Sequence, residues 1–376
     1  WEGKPAKTPL TAAQLAEKIG DCDILIMRVD PAINADVLAA AKNLKFIGVC
    51  SVGLNHVNME IAKEKGIIVQ NAPGLNGNAV AELTIGKMLD LARQSIPAHR
   101  DVCDNHNWDK YAFMGHELRG ATLGILGFGR IGQHLGVMAK AIGMEVIAFD
   151  IFHIPGIEDK LGIPYVEMDE LLGKSDFISV HAPAVDGGAL ISRDNIAKMK
   201  DGVRIVNCAR GGCSDHQAIA DGIKSGKIAG AAIDVYPSEP LTKENNPFLG
   251  LFNVVQTPHL GASTEEAQIG VAVYVAYGVI DALEGRPVMT AVNMAPIPKS
   301  VAEVIKPYFG LAERMGTVGI YLADGPITKV EVEFTGTLAE TETQALTTAF
   351  LKGLLNPILQ ESVNFVNAPG MAKKRN

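Results

Sequence analysis

Short apolar runs alternate with amphipathic stretches along most of this chain. Ile24-Leu25-Ile26-Met27 and Phe46-Ile47-Gly48-Val49-Cys50 are apolar, with an amphipathic segment over 35–41 between them, and Ile67-Ile68-Val69 follows a helical pattern over 59–65. Strands separated by helices of that length need crossover connections, which predicts a parallel sheet. Residues 79–93 predict a longer helix, because Val80, Leu83, Met88 and Leu91 fall on one side. A polar stretch over 101–110 then leads to a second series of apolar runs at 122–126, 145–149, 177–180, 203–206, 229–233 and 254–256. Six such strands with helical patterns between them are what a doubly wound sheet requires. A helix-like segment over 264–283 follows, then the turn Gly285-Arg286-Pro287, the run Ala291-Val292-Asn293, and a linker flanked by Pro296 and Pro298. Beyond it, Val330, Val332 and Phe334 alternate within 329–334, while Leu346, Phe350, Leu354 and Ile358 recur at helical spacing. The predicted class is α/β, with two doubly wound parallel sheets and a partial, small α+β unit at the C-terminal end.

Composition narrows the function. At 376 residues the chain is long enough for two or three domains. A formal charge of −8 argues against a general nucleic-acid binder, which needs clustered cations. The five cysteines, Cys22, Cys50, Cys103, Cys208 and Cys213, are odd in number and form no C-x-x-C pair, so reduced thiols and a cytoplasmic setting are expected. No uninterrupted apolar stretch reaches about 18 residues, so no membrane span is expected; the longest candidate, Ile269 to Ile280, ends at Asp281. Trp1-Glu2-Gly3-Lys4 is neither a signal peptide nor a Met start, which suggests that the chain begins inside a longer protein, and Lys373-Lys374-Arg375-Asn376 reads as a second cut.

The chemistry starts at Gly127-Phe128-Gly129-Arg130-Ile131-Gly132, which follows an apolar run and opens an amphipathic helix. In that setting Gly127 permits the tight turn, Gly129 lets the backbone approach a pyrophosphate, and Gly132 lets helix pack on strand. The next run ends at Asp150, 18 residues after Gly132 (150 − 132). A carboxylate there can accept hydrogen bonds from a ribose diol and repel a 2′-phosphate. Ile151 and Phe152 supply no cation for that phosphate, so NAD is expected rather than NADP.

Three further residues each lie just past a strand candidate: Arg210 in Asn207-Cys208-Ala209-Arg210-Gly211-Gly212, Glu239 before Pro240, and His259 in Thr257-Pro258-His259. Ligands of open α/β sheets bind beyond the carboxyl ends of the strands. A guanidinium fork suits a carboxylate, and an imidazole paired with a glutamate can exchange a proton with a substrate hydroxyl. His181 has no partner ligand at metal-binding spacing, so no metal is expected, and a role shaping the cofactor pocket suits it better. Ser214 and Ser263 lack a nucleophile elbow, and His56 reads as a surface or packing residue.

Together these residues make the chain resemble the D-2-hydroxyacid dehydrogenase family, most nearly its long-form phosphoglycerate dehydrogenases. The likeness runs from about Asp21 onward. It is carried by Asn71-Ala72-Pro73, Val80-Ala81-Glu82, Phe113-Met114-Gly115, Leu118-Arg119-Gly120, the segment 206–212, the segment 234–240 and His259-Leu260-Gly261-Ala262-Ser263-Thr264. The resemblance implies Rossmann-like domains: a substrate-binding domain at 1–93 and 264–294, an NAD-binding domain at 94–263, and a partial intervening or regulatory domain at 299–376. It implies NAD-dependent oxidation of 3-phospho-D-glycerate, with Arg210, Glu239 and His259 as the catalytic set. NAD contacts are implied at Arg130, Ile131, Asp150, Ala182, Cys208, Ala209, Arg210, Asp234, His259, Gly261 and Ala262, beside the glycines already named. Substrate contacts are implied at Arg28, Val52, Gly53, Asn76 and Arg210, and the implied assembly is a homodimer or higher homo-oligomer, with no nucleic acid or membrane partner. The segment 329–372 resembles the start of an extra domain that is here cut short, with the ligand-sensing domain beyond it absent. Val49 stands where many members of this specificity carry an arginine, Asp30 where some carry a second, and Asn58 where an aspartate is usual. Those departures keep open a reductase of glyoxylate or hydroxypyruvate, and, from another class, a non-catalytic NAD-sensing scaffold.

Overall fold

Among the described residues, nine parallel strands in two sheets carry the architecture. The computed structural model describes residues 9–184, 187–295, 297, 299–360 and 362–375; the expected linker prolines Pro296 and Pro298, residues 1–4 and Asn376 lie outside them. The chain divides into two compact units, Trp1–Pro73 with Gln268–Asn376, and Gly74–Ala267.

In the first unit, β1 (Ile24–Met27), β2 (Phe46–Val49) and β3 (Ile68–Gln70) form a parallel sheet in the order β1-β2-β3. The residues of β2 and β3 are all buried, as expected for parallel strands covered on both faces. The helices between them are short, and two begin on asparagine caps: the side chains of Asn34 and Asn58 accept from Val37 N–H and Ile61 N–H. Asn58 thus caps the helix Met59–Glu64. The helix Glu265–Leu283 is nineteen residues long and, by length and composition alone, apolar enough to cross a bilayer. It opens on Glu265 and Glu266, and it packs Val271 and Val275 with Phe46 and Ile68 in one core cluster of this unit. The helix is the one expected over 264–283, but its apolar part, 269–280, reads in the sequence as too short to span because Glu265, Glu266 and Asp281 bracket it.

In the second unit, β4 (Thr122–Leu126), β5 (Glu145–Phe149), β6 (Phe177–Val180), β7 (Val203–Asn207), β8 (Ile228–Ile233) and β9 (Val254–Gln256) form an all-parallel sheet in the order β5-β4-β6-β7-β8-β9. The order reverses between β4 and β6, a switch point where two loops leave in opposite directions and open a crevice. Expected strand positions and observed ones agree to within a residue. The helix Gly77–Arg93, expected with the substrate-binding residues, packs on the helix Arg130–Ile142 and on β7, β8 and β9 of this sheet. Buried Val80, Met88 and Leu91 belong to the sheet's own core.

Two segments differ from the expected pattern. Part of the polar stretch over 101–110 is helical, in Ser95–Asn105, a helix that buries none of its residues. Without an apolar stripe, periodicity could not reveal it. The alternating segment over 329–334 forms no strand among the described residues. Alternation supplies one face of a strand, but a ladder also needs an edge to pair with, and here the dominant packing is between two helices, Phe309–Leu322 and Gln344–Leu355.

Candidate active site

The glycine turn sits at the switch point. Gly127 has φ +96°, and a Cβ there would stand 2.6 Å from the backbone of His181 and Ala182, which follow β6. A Cβ on Gly132 would collide with the carbonyl oxygen of Gly127, whereas the space around the Cβ position of Gly129 is open. Gly129 caps the helix Arg130–Ile142 without a side-chain hydrogen bond, so the first-turn N–H groups point outward and favour an anion. Asp150 lies at the end of β5; its carboxylate accepts Phe128 N–H (2.7 Å) and Phe152 N–H (3.0 Å), which fixes its orientation beside the turn. A glycine cradle, an uncapped helix start and an oriented carboxylate fit a dinucleotide with a free ribose diol. His181 is half-buried, paired through Nε2 with Ser179 Oγ at 2.8 Å, and burial of the ring lowers its pKa to about 4. It is therefore a neutral wall of this region at pH 7.

Arg210, Glu239 and His259 emerge beyond the carboxyl ends of β7, β8 and β9. Asn207, fully buried at the end of β7, organises the first loop. Its Nδ2 donates to the Arg210 carbonyl (3.0 Å) and Ser214 Oγ (2.9 Å), and its Oδ1 accepts Ala209 N–H (3.0 Å). A Cβ on Gly211 would collide with the Tyr236 carbonyl and Pro237 nitrogen, so glycine lets the arginine loop run directly against the loop that carries Glu239. Glu239 accepts Tyr236 N–H on Oε1 (2.9 Å) and faces His259 Nδ1 through Oε2 (2.8 Å). The carboxylate sets the tautomer with hydrogen on Nδ1, which leaves the Nε2 lone pair for a substrate.

His259 has φ +56°, a left-handed conformation uncommon outside glycine and asparagine. Its own N–H donates to the Asp234 carbonyl (2.9 Å), and the two following amides, Leu260 N–H (2.8 Å) and Gly261 N–H (2.9 Å), donate to the Asp234 carboxylate. Both Asp234 oxygens are thus engaged with the turn. The NAD contact implied for Asp234 would have to share a carboxylate that already holds the His259 turn in place.

Of the other expected residues, Ala182, Cys208, Ala209, Gly261 and Ala262 line the same loop ends, and burial pushes the Cys208 thiol up to about 12. Asn76 stands half-buried at the start of the helix Gly77–Arg93. Arg28, Val52 and Gly53 belong to the first unit, just past β1 and β2. Arg28 is exposed; Val52 is held by Asn71 Nδ2 on its carbonyl (2.7 Å), and Gly53 accepts Ser51 Oγ (3.1 Å). Val49 is wholly buried in that unit's core and presents nothing to a ligand. His56 is half-buried, its pKa lowered by burial, in keeping with a packing residue. Among the described residues no three His, Cys, Asp or Glu side chains gather to hold a metal ion. Sequence reasoning overlooked Asn207 and Lys87; an asparagine directly after an apolar strand and a lysine on the apolar face of a helix were the available signals.

Comparison with known proteins is consistent with this geometry. Residues 85–261 match the D-isomer specific 2-hydroxyacid dehydrogenase NAD binding domain, and residues 304–376 match the D-3-phosphoglycerate dehydrogenase intervening domain. The chain is 43% identical over 371 residues to the D-3-phosphoglycerate dehydrogenase of Methanocaldococcus jannaschii, covering 98% of this chain and 70% of the relative. It is 37% identical over 364 residues to the enzyme of that name from Bacillus subtilis, covering 96% of this chain and 69% of the relative. Among solved structures it resembles D-lactate dehydrogenase from Treponema pallidum (TM-score 0.66, 33% identity, 76% of this chain and 89% of that one). It also resembles D-lactate dehydrogenase from Aquifex aeolicus, complexed with NAD and lactic acid (TM-score 0.63, 28% identity, 74% of this chain and 86% of that one).

Proposed function

The chain belongs to the D-isomer specific 2-hydroxyacid dehydrogenases, and on that premise we propose that it oxidises 3-phospho-D-glycerate to 3-phosphohydroxypyruvate, the first step of serine formation. It is an NAD-dependent dehydrogenase with a small-molecule hydroxy-acid substrate. The observation that carries the proposal is the His259–Glu239 pair at 2.8 Å, set beside the Arg210 loop on the sheet that also builds the dinucleotide cradle.

NAD, when bound, supplies the acceptor for the hydride that leaves C2 of the substrate. Gly127, Gly129 and Gly132, with Arg130 and Ile131 at the helix start, would hold the pyrophosphate, and Asp150 would take the ribose diol. Arg210 binds the substrate carboxylate through its planar fork. His259 Nε2 removes the C2 hydroxyl proton as the carbonyl forms, and Glu239 opposite Nδ1 stabilises the imidazolium that results. In reduction the same proton returns to the carbonyl oxygen. Ala182, Cys208, Ala209, Asp234, Gly261 and Ala262 shape the rest of the cofactor site. Arg28, Val52, Gly53 and Asn76 are the further substrate contacts, with Arg28 as the cation for the phosphate.

We also assign a homodimer formed through the second unit. Its segment 94–120 includes the helix Ser95–Asn105, which buries nothing, and exposes Trp108, Tyr111 and Met114. Apolar exposure on that scale calls for a covering surface. A cytoplasmic location fits the five unpaired cysteines. Light scattering at micromolar concentration tests the dimer; a monomeric mass rules it out.

A second reading, a reductase of unphosphorylated 2-oxo acids, is favoured by one observation: buried Val49 and the anionic Asp30 leave Arg28 with little cationic support. The direct test of the proposal is reduction of NAD by purified protein supplied with 3-phospho-D-glycerate. Turnover is expected, and NAD binding without turnover of any 2-hydroxy acid would instead mark a scaffold that has kept the fold and lost the chemistry.

A further inference from the structure

Lys87 lies on the face of the helix Gly77–Arg93 that otherwise buries Val80, Thr84, Met88 and Leu91, and only 2% of its surface is exposed. Lysine is almost never this buried without a partner. Its Nζ donates to Thr257 Oγ1 at 2.7 Å, and the same hydroxyl donates to Asp234 Oδ1. The Asp234 carboxylate, itself wholly buried, receives the amides of Leu260 and Gly261, the two residues that follow His259. Cation, hydroxyl, carboxylate and turn therefore form one continuous chain of hydrogen bonds ending at the left-handed backbone of His259.

We propose that Lys87 is a positioning residue for His259: through Thr257 it sets a positive charge against the buried Asp234 and so fixes the turn that aims the imidazole. The inference rests on His259 being the proton-transfer group.

The groups facing Lys87 are Cys208 at the end of β7, Asp234 at the end of β8, Thr257 after β9, and Asp90 on its own helix. Burial pushes the Lys87 ammonium below its ordinary range, and Cys208, Asp234 and Asp90 act in the opposite direction. Cys208, with its thiol pushed up to about 12, is neutral at pH 7 and offers no charge. Asp234 is the buried counter-charge. Without the cation, that buried carboxylate would keep the amides of Leu260 and Gly261 but lose the positive charge facing it, and its protonated form would gain. A protonated Asp234 is a poorer acceptor for two amides, which leaves the bonds from His259 N–H to the Asp234 and Thr257 carbonyls to hold the turn.

Lys87→Met keeps most of the side chain's length and apolar stem while removing the charge and donor. We expect kcat to fall roughly 10-fold, with the substrate KM within about threefold, as for loss of precise orientation at an otherwise intact binding site. The pH profile separates this from a merely structural role. In the reduction direction the protonated imidazole favours low pH, but Lys87→Met should lose rate as pH falls, because Asp234 takes up a proton. Adding Asp234→Asn to Lys87→Met should abolish that acid-side loss, since no carboxylate is left to titrate. Thr257→Val, which breaks the chain in its middle with little change of shape, should reproduce the kcat loss and the acid-side loss even if Lys87→Met folds poorly. Wild-type kcat and a wild-type reduction profile in either single variant overturn the proposal. His259→Ala, assayed in parallel, separates the two levels: activity there sinks the reading of His259 itself, whereas an inactive His259→Ala beside a wild-type Lys87→Met sinks only the positioning role.

Discussion

The loops after β7, β8 and β9 and the loops after β1 and β2 carry different parts of the proposed chemistry, and they are built differently. Beyond β7–β9, Asn207 and Asp234 are wholly buried, every oxygen of the Asp234 carboxylate is bonded to the His259 turn or to Thr257, and Glu239 is anchored by Tyr236 N–H before it meets the imidazole. Beyond β1 and β2, Arg28 and Val52 are exposed, and the space around Gly53 is open. The contrast follows the distance dependence of each task. Proton transfer requires hydrogen-bond reach and alignment, so a 1 Å displacement can cost about 10²-fold. Attraction between a guanidinium and a phosphate falls off only as the inverse of distance and tolerates a mobile cation. The proton-transfer side is over-determined, and the anion side is left adjustable.

That contrast can be broken at several points. His259→Ala should remove most turnover in both directions, roughly 10²–10⁴-fold, while NAD affinity measured by fluorescence titration stays nearly unchanged, because the pyrophosphate cradle is built elsewhere. Arg210→Gln should lower kcat/KM by about 10²-fold, the loss of two charge-assisted hydrogen bonds to a carboxylate; steady-state kinetics with the full substrate measure it. Glu239→Gln keeps an acceptor for Tyr236 N–H but removes the charge facing the imidazole, and a fall in kcat of roughly 10-fold is expected. Equal kcat for that variant and the wild type would reduce Glu239 to a structural residue of its turn.

The smallest effect concerns stability. His216 is buried against Tyr236 and Phe248, and burial lowers its pKa from 6.5 to about 4. Between those values the unfolded chain binds a proton that the folded chain refuses. The stability His216 contributes as a neutral side chain is therefore complete above pH 6.5 and is lost as pH falls toward 4. His216→Phe should flatten the decline in urea-unfolding free energy from pH 7 to pH 5 by roughly 1–2 kcal/mol. An unchanged slope would show that this histidine does not couple folding to pH.

The second sheet was almost fully legible in the sequence because its strands are continuous apolar runs punctuated by glycine turns. All six candidates form, and Gly127, Gly129 and Gly132 take the places their turn chemistry requires. The residues Arg210, Glu239 and His259 could be picked out as chemistry just past strand ends, but nothing in their spacing revealed that Nδ1 would meet Oε2. That contact depends on the close approach at Gly211, a tertiary fact. Lys87 was hidden for the opposite reason. On an amphipathic helix a lysine beside apolar residues ordinarily lifts its charge to solvent, and only the position of Thr257, 170 residues away in sequence, turns it inward. The helix Ser95–Asn105 escaped because it has no buried face, and the alternation over 329–334 misled because no neighbouring edge is present for it to pair with among the described residues.

The central claim is that this site handles a phosphorylated hydroxy acid, and it is tested most directly by NADH-dependent reduction of 3-phosphohydroxypyruvate and of hydroxypyruvate under identical conditions. The account predicts a kcat/KM at least about tenfold higher for the phosphorylated compound, the worth of one charge-assisted contact from Arg28. A preference for hydroxypyruvate would contradict it and assign the chain to the reductases of unphosphorylated 2-oxo acids.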